Sequence, residues 1–363
     1  MMHELPFEAA LKGRRVFVTG HTGFTGSWAC LWLKALGAEV EGYSLAPDTT
    51  PALFNATRLD SEVRGTIADI RDFPTLLGAM RAFNPDLVLH LAAQPLVRRS
   101  YREPLLTFEV NAQGTAHVLE AARQCAQVRG VVCVTTDKVY ANREWDWPYR
   151  ENDPLGGKDP YSASKSAAEM VIQSYAASYP FKEGKGPAIA TARGGNIIGG
   201  GDWSEDRLVP DFVRALVHGS SLSLRYPRAT RPWQHVLALV QGYFMLLAGL
   251  TGPEPGRFAR AWNLGPQDPR QYTVRDVLDL MAAEWRQPAI EYESEALPEA
   301  QALALDSSIA RNLLSWQPPW DTRHVVRETA AWYRDFHNGS DARALCLAQI
   351  AAWRDGLLAQ CSN

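Results

Sequence analysis

Arg15-Val16-Phe17-Val18-Thr19-Gly20-His21-Thr22-Gly23-Phe24-Thr25-Gly26 is the stretch whose reading decides the fold. Arg15 to Thr19 is a short apolar run and predicts a buried strand. Three glycines follow at Gly-x-x-Gly-x-x-Gly spacing. A helical pattern then runs from Trp28 to Leu36 and stops at Gly37. Strand, glycine turn and helix in that order is the setting in which a dinucleotide is held. The glycines permit a tight turn and let a pyrophosphate approach the backbone, and the helix amino terminus faces its charge. A plain glycine turn has the same letters, so the reading leans on its placement.

Working outward, Ala38 to Leu45 predicts a second strand. Its end, Gly42-Tyr43-Ser44-Leu45, carries neither a carboxylate for ribose hydroxyls nor an arginine for a 2′-phosphate, and Asp48 follows Pro47 in a loop. The dinucleotide class is therefore firmer than its exact form. Val63 to Ala68 is a weaker third strand. Asp69 at its end is placed to accept from an adenine amino group, with Ile70 beside it, and Asp72 caps the helix that follows. Asp86 to Leu91 predicts a fourth strand opening into Ala92-Ala93-Gln94-Pro95, where small residues let a ribose lie against the backbone. His90 reads as a satisfied core histidine, and Arg98, Arg99 and Arg102 as solvated loop charges. Asn111 starts a helical pattern. Val131 to Thr135 and Ala188 to Ala192 supply strands five and six. Strand and helix alternating in this way predict an α/β fold, a Rossmann-type doubly wound parallel sheet.

In such a sheet, ligands sit beyond the carboxyl ends of the strands. Thr136-Asp137-Lys138 stands at one such end, and Tyr161-Ser162-Ala163-Ser164-Lys165 opens the next helix. Tyr161 and Lys165, four apart, share a helix face, and a neighbouring ammonium favours the phenolate a base requires. Alone, a Tyr-x-x-x-Lys pair is weak; it gains force from the glycine turn upstream. Between the clusters, Ala141 to Pro160 reads as an ordered loop over the site, because Trp145, Trp147 and Tyr149 offer packing surfaces.

The remainder is less regular. Arg193 to Asp202 is a glycine loop, Leu208 to His218 a helix, Leu222 to Tyr226 a short strand. Arg231-Pro232-Trp233-Gln234-His235-Val236 introduces an apolar helix to Leu250. Arg193, Arg225 and Arg231 are candidates to converge on a diphosphate, though each also reads as an ion-pair partner. Helices are expected over Asp306 to Trp316 and His324 to Phe336, and an amphipathic helix over Asp341 to Leu358 covers the core. The expected division is residues 1–192 with about 231–252 for the dinucleotide, 193–230 with about 253–340 as a smaller C-terminal α/β substrate domain, and 341–363 as a C-terminal helix. A net charge of −3 over 363 residues argues against a nucleic-acid scaffold. The five cysteines lack metal-ligand spacing, so no metal is expected. No apolar run spans a bilayer and no signal peptide is visible, so the cytoplasm is the expected compartment and no membrane partner is expected.

These motifs together resemble the extended short-chain dehydrogenase/reductase (SDR) family, and within it the nucleotide-sugar 4,6-dehydratases. Thr136-Asp137-Lys138 stands where other branches carry Thr-Asp-Glu. With Gly20-His21-Thr22-Gly23-Phe24, Arg143-Glu144-Trp145, Glu151 to Gly157 and Arg231 to Val236, it resembles the branch that takes CDP-glucose. Thr25 departs from the Lys expected there. The resemblance implies a lyase with NAD as cofactor and CDP-glucose as substrate. It implies catalytic roles for Thr136, Asp137, Lys138, Tyr161 and Lys165. Cofactor contacts are implied from Gly20, Thr22, Gly23, Phe24, Thr25, Gly26, Asp69, Ile70, Leu91, Ala92 and Ala93, and substrate contacts from Gln94, Asn196, Arg225 and Arg231. Asp137, kept protonated by burial, is read as the acid of a water elimination and Lys138, kept neutral, as its base; the reverse pairing also fits the sequence. A homodimer built on the helices after Asn111 and Tyr161 is implied, as is deoxysugar supply for lipopolysaccharide O-antigen. A 4-epimerase of the same superfamily and an idle NAD-binding sensor are the alternatives.

Overall fold

The computed structural model describes residues 4–179, 186–266, 272–292 and 303–361. Residues 1–3 of the amino-terminal stretch and the last two residues of the expected 341–363 helix lie outside the described residues.

The strands in chain order are β1 Arg15–Thr19, β2 Glu39–Ser44, β3 Arg64–Ile67, β4 Leu87–His90, β5 Gly130–Val134, β6 Ala188–Gly194, β7 Ile197–Ile198, β8 Leu222–Leu224, β9 Gln234–His235, β10 Ala261–Leu264 and β11 Ile290–Tyr292. Seven of them form one parallel sheet in the order β10-β6-β5-β4-β1-β2-β3. β8 pairs with β11 and β7 with β9, both in parallel. The six expected strands of the sheet are present. β10, which extends the sheet beyond β6, was not expected.

The central strands β1, β4 and β5 are apolar without alternation because both faces are covered, while β2 and β3 toward the edge carry charged and exposed positions. Successive side chains still point to opposite sides. Val16, Val18, Leu87, Leu89 and Val132 belong to one core cluster, and Phe17, Val88, Val131 and Cys133 to the other. The helix Val236–Leu250 is apolar on nearly every side and lies wholly in the first cluster, as expected of a helix with no solvent face. The C-terminal helix Ala342–Cys361 buries Cys346, Ile350, Trp353 and Leu357, the stripe read from the sequence. Its Arg354 makes a two-pronged pair with Glu8 of the first helix, at 2.7 and 2.9 Å. Glu8 also accepts from Trp32 Nε1 at 3.0 Å.

Two local expectations are corrected. Arg98, Arg99 and Arg102 lie in the helix Val97–Arg102, where Arg98 pairs with Asp206 and Arg102 with Glu205, each at 2.9 Å. Residues 141–160 do not lie over the cavity described below, since none of them lines it. Tyr149 stacks on Tyr140 and Trp145, and its backbone pairs with Ala304 and Asp306 at 2.8 Å. The loop is therefore ordered by the 303–306 segment, while Trp147 is 74% exposed.

Candidate active site

The strand order reverses between β4 and β1, and there the glycine turn meets the Leu91-Ala92 backbone. Gly20 has φ +75°, and a Cβ on it would stand 2.7 Å from Ala92 N. This switch point is where a doubly wound sheet opens a crevice. A cavity of about 1050 Å³ occupies it.

Cluster by cluster, the walls follow from local chain chemistry. Thr136 ends the strand and caps the short turn Asp137–Val139, its Oγ1 accepting from Lys138 N at 3.3 Å and donating to Asp137 Oδ1 at 2.9 Å. The helix Pro160–Ser178 starts with Pro160 in its first turn and Asp159 as cap, Asp159 accepting from Ser162 N at 3.0 Å. That start presents Tyr161 to the cavity, hydrogen bonded to Thr136. One turn on, Lys165 Nζ donates to the Val134 carbonyl at 3.1 Å. Asn111 locks the two walls together: its Nδ2 donates to Ser164 Oγ at 2.9 Å and to Gln94 O at 3.1 Å, and its Oδ1 accepts from Gln94 N at 2.9 Å.

The electrostatics separate the groups. Burial pushes the Asp137 carboxyl up, against the pull of Lys138, the Thr136 hydrogen bond and Arg231. Its Oδ2 is buried without a hydrogen-bond partner, which suits a protonated acid. Lys138 beside it is only half-buried. Burial lowers Lys165 to about 8. Tyr161 is pushed up to about 12, chiefly by burial. The sequence expectation was a phenol lowered by Lys165. In the protein alone desolvation wins, and Lys165 directs its nitrogen at a backbone carbonyl instead.

The structure brings all five expected catalytic residues to this one cavity. The cofactor candidates Gly20, Thr22, Gly23, Phe24, Thr25, Gly26, Asp69, Ile70, Leu91, Ala92 and Ala93 also line it, as do Asn196, Arg225 and Arg231. Gln94 does not. Its carboxamide is turned inward, Oε1 accepting from Leu96 N at 2.7 Å and Nε2 donating to Thr107 Oγ1 at 2.9 Å, away from the cavity. Arg193 is likewise removed from the diphosphate candidates. It is fully buried, forked onto Glu169 at 3.0 and 2.8 Å, with its guanidinium over the Tyr140 ring. His90 is satisfied by Thr19 and Thr115, as expected of a core histidine. Sequence reasoning missed Asn111 as a brace, having read it only as the start of a helical pattern. It also missed the Asp202–Arg207 loop and Tyr243, which line the cavity but carry no motif.

The glycine turn fits a dinucleotide. Gly20 and Gly26 are required by the protein's own packing, for a Cβ on Gly26 would collide with the Gly20 carbonyl. Gly23 is different: its Cβ would meet only Gly20 O, at 3.4 Å. Nothing in the chain demands a glycine there, yet it lines the cavity and precedes the helix Phe24–Ala35, which has no side-chain cap. Bare helix amides facing a cavity through a glycine are the cradle for a pyrophosphate.

The GDP-mannose 4,6 dehydratase family profile matches residues 17–329. The chain belongs to this family. Within it, a CDP-glucose 4,6-dehydratase of Salmonella typhimurium is 44% identical over 335 residues, covering 91% of this chain and 93% of the relative. A dTDP-D-glucose 4,6-dehydratase of Bos taurus is 27% identical over 357 residues, covering 91% of each. Among solved structures, the dTDP-glucose 4,6-dehydratase of Streptomyces venezuelae with NAD bound superposes with a TM-score of 0.77 at 25% identity. It covers 89% of this chain and 98% of that one. The UDP-glucose 4-epimerase of Thermus thermophilus in complex with NAD gives 0.75 at 27% identity, covering 88% and 99%. The family thus shares its fold with epimerases and spans several nucleotides, so the choice of reaction rests on the cavity and the choice of nucleotide on the 44% relative.

Proposed function

We propose that this chain removes water from CDP-glucose to give CDP-4-dehydro-6-deoxy-glucose, with NAD as a bound cofactor that is returned unchanged. The observation that carries the reaction type is Asp137, a buried carboxyl with a raised pKa and an unpartnered oxygen, set beside Lys138 and within hydrogen-bonded reach of Tyr161 through Thr136. A 4-epimerase needs the Tyr161–Lys165 pair but no second acid–base pair.

The residues divide the work as follows. Bound NAD supplies a reversible hydride acceptor in a cationic ring, whose charge favours the Tyr161 phenolate over its buried, protonated form. Tyr161 takes the proton of the carbon 4 hydroxyl, and Thr136 holds that hydroxyl. The carbon 4 ketone acidifies the proton on carbon 5, which Lys138 removes. Asp137 protonates the carbon 6 hydroxyl as it leaves as water, and the alkene so formed accepts hydride at carbon 6 while Lys138 returns its proton to carbon 5. Lys165 holds the ribose of the cofactor. Asp69 accepts from adenine. Its carboxylate is kept low by Arg71, which donates to it at 2.8 to 3.1 Å, and it remains an acceptor. Asn196, Arg225 and Arg231 hold the diphosphate.

The proposed division assigns residues 1–192 with about 231–252 to the cofactor, 193–230 with about 253–340 to the sugar nucleotide, and 341–363 to a covering helix. A homodimer is part of this reading. Leu105, Phe108, Met170 and Tyr179 are exposed on or beside the two helices expected to pair, Leu105 by 77% and Met170 by 58%, and exposed apolar side chains there support an interface. Light scattering on the purified chain tests it, with a monomer as the contrary result. All five cysteines are unpaired, in keeping with a reducing cytoplasm. No described helix is long and apolar enough to cross a membrane. A 4-keto-6-deoxy sugar nucleotide is a precursor of deoxysugars, and supply to surface polysaccharide such as O-antigen completes the proposal.

Incubation with CDP-, UDP-, dTDP- and GDP-sugars and NAD, read by mass spectrometry, tests the reaction and the nucleotide together. Loss of one water from CDP-glucose alone is expected. Loss from a different nucleotide sugar overturns the choice of nucleotide, and a changed sugar configuration at constant mass overturns the choice of reaction.

A further inference from the structure

Tyr243 lines the cavity, and no step above uses it. Its side chain is 0% exposed and its hydroxyl has no hydrogen-bond partner. A buried phenol without a partner is an exception that calls for a cause.

The placement of its helix suggests one. At the amino end of Val236–Leu250, a Cβ on Gly199 would press on Val236 at 2.9 Å; at the other end, one on Gly130 would meet Leu250 at 2.9 Å. Gly130 starts β5, so the helix runs antiparallel to the strands, with its amino terminus at their carboxyl ends. Helical side chains lean toward the amino terminus of their helix. Tyr243, two turns in, therefore leans toward the cavity floor, which it lines with Val134, Tyr161, Lys165 and Leu239. It arrives from the opposite side of the sheet to Tyr161. Its helix packs with Val132 and Leu89, whereas the Tyr161 helix packs, through Ile172, with Val131 and Cys133. Tyr161 also acts electrostatically on the Tyr243 phenol, and burial pushes that phenol well up. It stays protonated and works as a hydrogen-bonding group, not a base.

The glycine turn takes the pyrophosphate, and Asp69 and Ile70 mark the adenine end. Val134, Tyr161 and Lys165 then mark the nicotinamide end. The sugar is claimed from the other side by Thr136, Asp137 and Lys138. The one polar substituent of a nicotinamide ring is its carboxamide. Resting on the cofactor reading given above, we propose that the Tyr243 hydroxyl hydrogen bonds the nicotinamide carboxamide and thereby fixes which face of the ring meets the sugar.

Tyr243→Phe tests this without touching any group assigned to the chemistry. The readouts are NAD and ADP-ribose affinities by calorimetry and the thermal midpoint of the protein alone. ADP-ribose carries every part of the cofactor except the nicotinamide. The expected result is NAD binding weakened about tenfold, the scale of one hydrogen bond, with ADP-ribose affinity and the thermal midpoint unchanged. Wild-type NAD affinity in the variant, or an equal loss for both ligands, overturns the proposal. Failure of the wild-type protein to bind NAD at all overturns the cofactor reading itself, and is seen before the variant is made.

Discussion

At the scale of single residues, Asp137 and Lys138 are adjacent in the chain yet differ in setting, one buried and one half-buried. That asymmetry lets neighbours take opposite roles. Lys138→Ala should oxidise carbon 4 and then stall, because nothing removes the carbon 5 proton. Reduced cofactor would accumulate and its absorbance would persist, with dehydration slowed about 10²–10⁴-fold. Dehydration at the wild-type rate would show that Lys138 is not the base. The position of this pair was legible in the sequence because the end of a parallel strand fixes where the residues that follow it can go. Gln94 was misread for the complementary reason, and of the two readings open to Arg193 the ion pair is the one found, buried rather than at the surface. The sequence shows that a residue can donate, but not that Leu96 and Thr107 already occupy the Gln94 amide or that Glu169 draws Arg193 inward.

At the scale of elements, the glycine turn combines two demands that its letters do not separate. Gly26→Ala should destabilise the fold by several kcal/mol, since its Cβ meets backbone that cannot move aside. Gly23→Ala should leave the thermal midpoint nearly unchanged while weakening NAD binding at least tenfold, because its Cβ meets only Gly20 O, at 3.4 Å, and otherwise enters the space proposed for the pyrophosphate. Measuring both quantities on both variants checks the division; loss of stability in Gly23→Ala would contradict it. Most of the six strands between Arg15 and Gly194 were readable because they are apolar runs next to helical patterns; β3, Arg-Gly-Thr-Ile, was the weakest signal. β10 was not, being only four residues that follow the short helix Pro255–Phe258 without a glycine turn. Its place is set by pairing along β6, a contact that local pattern cannot reveal.

At the scale of the whole molecule, buried histidines set the acid limit. Burial lowers His21 to about 4 and both His90 and His235 to about 3. Below pH about 6.5 the unfolded chain binds protons that the folded chain refuses. Stability is therefore full above that value and lost as pH falls toward 4, by on the order of several kcal/mol across the three groups. A urea midpoint that is the same at about pH 7.5 and about pH 5 would refute this. The Glu8–Arg354 pair gives a second expectation. Glu8 is 0% exposed, so Arg354→Ala strands a buried carboxylate and should cost about 3–5 kcal/mol in urea unfolding. Restoration of most of that loss by Glu8→Gln in the same chain would identify the stranded charge as the cause. The pair also has a consequence in time. Its two members are 346 residues apart, and at about 5–20 residues per second a ribosome takes on the order of tens of seconds to make the second after the first. For that interval Glu8, Trp32 and the surface around them wait without their cover. Completion of this layer thus waits for a helix made 346 residues after Glu8, and the nascent chain carries an unsealed aromatic face for that interval.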